Sequence, residues 1–238
     1  MKRIVVGSLG LALLMGAGHP APAGAEDAGL RLARLKYGGG GDWYSNPTSL
    51  PNLARALDER TPVAIAKVPE THVAPLDEEL FEVPFVYMNG HGRIRLTASE
   101  ASRLRRYLLG GGFLFADDNY GMDETFRETM QQVFPDRPLV EVPFDHPIYH
   151  SYYEFDQGPP KIHEHDKKPP QGFGIFDSGR LVVFYTYESD IGDGLEDADV
   201  HEDPPEKREE ALRMAINVVM YALALERPLQ PAAGGSSR

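Results

Sequence analysis

The sequence predicts a single α/β domain, a three-layer sandwich built on a mostly parallel sheet with a late hairpin, and three observations carry that prediction. Strand-length apolar segments alternate with segments of helical period through most of the chain. The run Phe113-Leu114-Phe115-Ala116 is continuously apolar between turn signals, as a parallel strand buried on both faces must be. Residues 172–176 and 181–186 flank Asp177-Ser178-Gly179-Arg180, the pattern of a hairpin.

In chain order, residues 30–37 read as the first strand, followed by the loop Gly38-Gly39-Gly40-Gly41-Asp42-Trp43. Leu50, Leu53, Ala54 and Leu57 fall on one helical face, with Pro51 tolerated in the first turn. Residues 62–68 and 84–88 are the next strands, the latter ending in Asn89-Gly90-His91-Gly92. Thr97-Ala98-Ser99-Glu100 is a capping box that opens a helix through Leu109, and Gly110-Gly111-Gly112 stops it. The strand at 113–116 delivers Asp117-Asp118-Asn119 to its carboxyl end. Residues 122–134 are helical with Pro135 as the stop, and residues 139–142 form a further strand. A final helix spans 205–225, and Arg213 and Asn217 interrupt its apolar remainder, which favours packing on the sheet over membrane insertion. No internal repeat is visible.

The N-terminus has the three-part pattern of a secretory signal: Lys2 and Arg3, an apolar run from Ile4 to Met15, and Ala23-Gly24-Ala25 before Glu26. Cleavage after Ala25 divides the chain into a signal peptide (1–25), one α/β domain (26–228) and a disordered tail (229–238). The product is then periplasmic or secreted, with no membrane span in the mature chain. Cysteine is absent, which excludes disulfides, thiolate nucleophiles, thiolate ligands and an N-terminal lipid anchor. Loss of Lys2 and Arg3 leaves 22 basic residues against 36 acidic ones, a net charge of −14, so nucleic acid is excluded as a partner.

In such sheets the loops after the strands form the working face. Gly39 and its neighbours lack the spacing and lysine of a phosphate loop; the segment reads as a turn presenting Asp42, Trp43 and Tyr44, the aromatics as a stacking surface for a sugar. Asn89 and His91 follow the third strand. Asp117 and Asp118 must diverge at a strand end, so one of them faces a pocket as acid, base or cation ligand with Asn119, or both cap the following helix. Asp145-His146-Pro147-Ile148-Tyr149-His150 concentrates imidazoles and phenols, with His146, Tyr149 and His150 as candidates, although Pro147 opposes a helical metal pair. His163-Glu164-His165-Asp166 is metal-prone in composition, but its polarity and Pro169-Pro170 suit a solvated loop. Residues 188–197 are rich in carboxylates and glycines yet depart from the calcium-loop pattern, and Asp190 is the member nearest a strand end.

Tyr37-Gly38-Gly39 with Asp42-Trp43, Asn89-Gly90-His91-Gly92, Gly110 through Asp118, Asp145-His146-Pro147-Ile148-Tyr149, and Gly192-Asp193-Gly194 through Val200-His201 together resemble the bacterial domain-of-unknown-function family 4159. More distantly, a Gly-rich helix end feeding an apolar strand and then a His-Pro loop is similar to the trehalose-utilisation-like proteins of the class I glutamine-amidotransferase-like superfamily. That resemblance implies a flavodoxin-like sandwich. It also implies a cysteine nucleophile after the strand, near where Asp117 and Asp118 stand here, so thioester chemistry is ruled out.

Two functions follow as expectations. The first is a binding protein whose pocket of Trp43, His91, Asp117, Asp118 and His146 takes a small polar ligand, such as a carbohydrate, or another envelope component. The second is a hydrolase in which Asp117, Asp118 or His146 is catalytic and activates water, a divalent cation assisting. No G-x-S-x-G elbow supports a serine mechanism.

Overall fold

The computed structural model describes residues 29–224. The signal-peptide segment and the tail at 229–238 lie outside the described residues. Five strands are mutually parallel: β1 (Leu30–Leu35), β2 (Ile65–Val73), β3 (Phe85–Gly90), β4 (Phe113–Asp118) and β7 (Arg180–Tyr187). Beyond β7, β6 (Gln171–Asp177) and β5 (Val140–Glu141) add in antiparallel fashion. The order β2-β1-β3-β4-β7-β6-β5 is the flavodoxin-like doubly wound arrangement extended by the hairpin.

The layers follow from alternation along the strands. Phe85, Tyr87, Phe113 and Phe115 face α1 (Ser49–Arg60) and α5 (Pro205–Ala224). Val86, Met88, Leu114 and Ala116 face α2 (Ala98–Leu109) and α3 (Asp123–Val133). Both faces are covered, which explains why the central strands read as unbroken apolar runs. The same alternation sends Asp117 to the α1/α5 side and Asp118 to the α2/α3 side.

The predicted elements are present with shifted ends. β2 lies at 65–73 instead of 62–68, and it contains Pro69 and an exposed Val68. An edge strand tolerates both, since one side makes no ladder and packs less tightly. β5 shrinks to two residues. A single helical turn, α4 (Ile191–Gly194), occupies the carboxylate- and glycine-rich stretch after β7. The capping box forms as expected: Thr97 accepts from the Glu100 amide, and the Glu100 carboxylate accepts from the Thr97 amide at 2.7 Å. Among the described residues no helix is long and apolar enough to cross a membrane. Asn217 in α5 instead clamps the adjoining loop, accepting from the Tyr152 and Tyr153 amides at 3.1 and 2.7 Å.

The α2–β4 connection shows how tightly the layers are set. Gly111 has φ = 123°, and a Cβ on Gly112 would lie 2.3 Å from the buried Tyr107 ring. Gly112→Ala is expected to lower stability by about 1–3 kcal/mol through this overlap. Chemical denaturation should show a reduced midpoint with an unchanged slope.

Candidate functional site

The carboxyl edge of the sheet carries a buried polar cluster on its α1/α5 side. It begins with Arg34 near the end of β1, which is 1% exposed. All five of its N–H groups find acceptors. Nε donates to Glu70 (2.9 Å), Nη1 to the Ser45 carbonyl (2.8 Å) and Asn89 Oδ1 (2.7 Å), and Nη2 to the Asn46 carbonyl (3.0 Å) and Ser49 Oγ (3.3 Å). Asn89 is thereby spent on structure, its own amide donating to Ser45.

Asn46, fixed through its carbonyl, turns its side chain toward α4. Its Nδ2 donates to Asp193 Oδ1 at 2.5 Å, and Asn119 Nδ2 donates to the same oxygen and to Asn46 Oδ1. Asp193 thus has one carboxylate oxygen held by two amides. Burial pushes its carboxyl upward, but the His163 and Asn46 hydrogen bonds prevail and leave it below the usual range. Asp117 lies beneath, accepting from Thr186 Oγ1 (2.5 Å) and the Gly192 amide (2.6 Å). Burial, reinforced by Asp190, lifts its carboxyl to about 8.

Asp190 ends the β7 connection in the left-handed region (φ = 59°) and is fully buried. Glu188 (φ = 57°) and Tyr120 (φ = 89°) are also left-handed, so strained backbone flanks the cluster on both β4 and β7. His165 Nε2 bonds Asp190 Oδ2, and the exposed Tyr120 ring stacks on His165 with centroids 4.7 Å apart. His163 Nδ1 is 3.1 Å from Asp193 Oδ2 and 3.5 Å from Asp190 Oδ2, and its Nε2–H donates to Asp203 at 2.9 Å. Hydrogen bonds to Asp190 and Asp193 push the His163 imidazole up to about 11. His201 Nε2 comes within 3.7 Å of Asp193 Oδ2. His163, Asp193 and His201 are therefore disposed to hold a metal ion.

Residues 163–170 form the largely exposed loop expected of them, except that His163 and His165 turn inward onto the cluster. Ile162 packs into the core, its amide donates to the Ser189 carbonyl, and Lys161 pairs with Glu188 at 2.6 Å. These contacts strap the histidines across the strand ends. Sequence reasoning missed Asn46, His163, His165, Asp193 and His201 as site members, although Gly192-Asp193-Gly194 and His201 stood among the motifs that resembled the family.

The other candidates separate into two places. On the α2/α3 side, Asp118 accepts from the Tyr120 and Met122 amides and from the Tyr185 hydroxyl, as a loop anchor before α3; burial raises its carboxyl. Nearby, Asp42 bonds the His91 amide and ring, and Tyr37 donates to the Asn89 carbonyl. Gly39 (φ = 109°) lies in the turn against Arg93 and Arg95, and Trp43 is half-buried between Lys36 and His72. His146 lies toward the opposite edge, beside the β6–β7 turn residue Gly179, packed on Phe176 and Tyr221. Tyr149 is buried against Phe184, and His150 is engaged by Glu154 and the Phe144 carbonyl. Asp117, Asn119 and Asp190 are brought together; His146 does not join them.

The profile of a domain of unknown function, DUF4159, matches residues 31–223. The chain belongs to this family. No curated protein matches it. The match runs from within β1 to within α5, so the polar cluster at the carboxyl edge is assembled wholly within the DUF4159 domain.

Two measurements test this geometry. Arg34→Ala is expected to cost about 3–5 kcal/mol, because it strands Glu70 and several buried acceptors. Arg34→Lys, with three donors for five acceptors, should also destabilise in equilibrium denaturation. The second concerns His146, whose Nδ1 accepts from the Ile148 amide and whose pKa is lowered, chiefly by burial. A folded value below the unfolded 6.5 means that the His146 contribution is complete above about pH 6.5 and is lost as pH falls through the folded value. His146→Gln should therefore lose less stability than wild type in urea titrations as the pH falls below about 6.5.

Proposed function

We propose that this DUF4159 protein is exported, cleaved after Ala25, and binds a small polar ligand in the cell envelope at the carboxyl edge of its sheet. The observation that carries the reading is three buried side-chain oxygens, Asn119 Oδ1, Asp190 Oδ1 and Asp203 Oδ2, without hydrogen-bond partners inside the His/Asp cluster. Buried polar atoms are nearly always paired, so several unpaired ones in one cluster call for a partner that a bound ligand or ion can supply. The exposed Tyr120 ring over His165 offers an apolar face of the kind a sugar ring stacks on. Kinship with the amidotransferase-like superfamily fits the strand order, with acidic and amide side chains standing where a cysteine would work.

A hydrolytic function is the second reading, favoured by one observation, the His165–Asp190 contact beside His163. Asp118 and His146 cannot act as a pair from different parts of the sheet. An imidazole on a buried carboxylate at the strand ends is the arrangement that acid–base chemistry requires.

Thermal shifts across a panel of neutral and acidic sugars check the binding reading. A true ligand at a hundredfold excess over its Kd should raise Tm by about 5–10 °C. The rise should vanish in Tyr120→Ala and Asp190→Asn and persist in His146→Gln. A shift lost in His146→Gln but kept in Tyr120→Ala would overturn the location. N-terminal sequencing of the extracytoplasmic protein should begin at Glu26, and an intact Met1 there would overturn cleavage.

A further inference from the structure

We propose that His163, Asp193 and His201 form a binding site for one divalent transition-metal ion, with zinc the best match to its donors. The inference deepens the ligand site above, since it names an inorganic component of that site.

The three donor atoms lie within 4.8 Å of one another and come from separate segments that the fold brings together: the strap, α4 and the loop before α5. Ligand atoms on a tetrahedral zinc ion, at about 2.1 Å from the metal, sit about 3.4 Å apart. The observed separations from Asp193 Oδ2 are 3.1 Å to His163 Nδ1 and 3.7 Å to His201 Nε2, on either side of that value. A small inward adjustment closes the set.

The supporting contacts are those that metal ligands need. A histidine ligand donates its other N–H to a carboxylate or carbonyl, which fixes the tautomer and raises the basicity of the ligating nitrogen. His163 does this through Nε2–H to Asp203 Oδ1 at 2.9 Å, leaving Nδ1 for the metal. A carboxylate ligand has its non-ligating oxygen hydrogen-bonded, and Asp193 Oδ1 receives both the Asn46 and Asn119 amides; Oδ2 faces His163 Nδ1, and a metal between them replaces the proton they share. Two buried side-chain oxygens beside the set lack hydrogen-bond partners. Asp190 Oδ1 is fully buried without a partner, while Asp190 Oδ2 lies 3.5 Å from His163 Nδ1; Asn119 Oδ1 is likewise buried and unpaired. Asp190 stands beside the set and outside it, its Oδ2 held by His165.

The donor chemistry sets the class. Two imidazoles and one carboxylate suit zinc and its late first-row neighbours; calcium and magnesium prefer all-oxygen sets. Three protein ligands with an open position are the pattern of catalytic sites, four that of structural ones. A second set, His150, Glu154 and Asp156, is more open to solvent and serves as the internal control.

The experiment uses the purified protein stripped with chelator and titrated with Zn2+, Co2+, Ca2+ and Mg2+ alone, read by calorimetry, elemental analysis and the visible spectrum of bound Co2+. The expected result is one Zn2+ or Co2+ per chain, a Co2+ spectrum of low coordination number, and no saturable Ca2+ or Mg2+ binding. His201→Ala, at a partly exposed position, should abolish binding without unfolding the chain. Asp203→Asn should weaken it about 10–100-fold with stoichiometry kept, since it only orients a ligand. Glu154→Gln should change nothing. Absence of Zn2+ binding in the folded wild type would overturn the site, as would binding that survives His201→Ala or disappears in Glu154→Gln. A sugar-induced shift in a wild type that binds no Zn2+ would leave the ligand reading standing while the metal site fell; unit metal binding without any sugar response would do the reverse.

Discussion

The arrangement of the carboxyl edge depends on one buried guanidinium. Arg34 sits where the strand order reverses between β1 and β3, the crevice at which doubly wound sheets gather their ligands. Here the crevice is filled by an internal cation. A planar fork with five donors ties β2 through Glu70, β3 through Asn89, and the start of α1 through Ser45, Asn46 and Ser49. Because it holds the Asn46 backbone, it also aims the Asn46 amide at Asp193, two contacts away. The buried His/Asp cluster accordingly lies away from the switch point, toward β4 and β7.

The electrostatics of that displaced site are uneven by construction. Asp117, Asp190 and Asp193 converge with Asp203 behind them, and the chain meets the repulsion in different ways. Asp117 has its carboxyl raised by burial beside Asp190 and forms a floor under the α4 backbone, accepting from the Gly192 amide. Asp193 stays ionised because two amides and His163 outweigh its burial. A buried carboxylate is costly unless paired, so the histidines that reach it are part of its stability as well as its chemistry.

The fold was largely legible in the sequence because it rests on local signals. The unbroken run at Phe113–Ala116, the capping box at Thr97 and the hairpin turn at Asp177–Arg180 each point to one conformation by themselves. The site was legible only in part. Asp117 and Asp190 could be placed because they sit at strand ends, and the divergence of Asp117 from Asp118 follows from the period of a strand. His163 and His165 could not, since what pulls them inward is Ile162 in the core and Lys161 on Glu188, contacts across more than 20 residues. His146 looked like a neighbour of Asp118 because a His-Pro loop follows the same stretch of sheet. Its aromatic packing on Phe176 and Tyr221 carries it to the other edge.

The motif Gly192-Asp193-Gly194 shows how close packing and site geometry become one requirement. A Cβ on Gly192 would stand 2.4 Å from the Tyr87 hydroxyl and 2.9 Å from the Asn46 amide nitrogen. A Cβ on Gly194 would stand 2.6 Å from the Ala211 Cβ, on α5. Only with both side chains absent can α4 sink between the strand ends and α5, bringing the Gly192 amide onto Asp117. That depth puts Asp193 within reach of Asn46 and Asn119 on one side and His163 and His201 on the other. The left-handed backbone at Glu188 and Asp190 turns the chain sharply enough to make the descent. Strain at β7, two glycines and a buried carboxylate are thus consequences of one constraint: a single helical turn has to lie deep enough for its acid to meet groups from four distant segments.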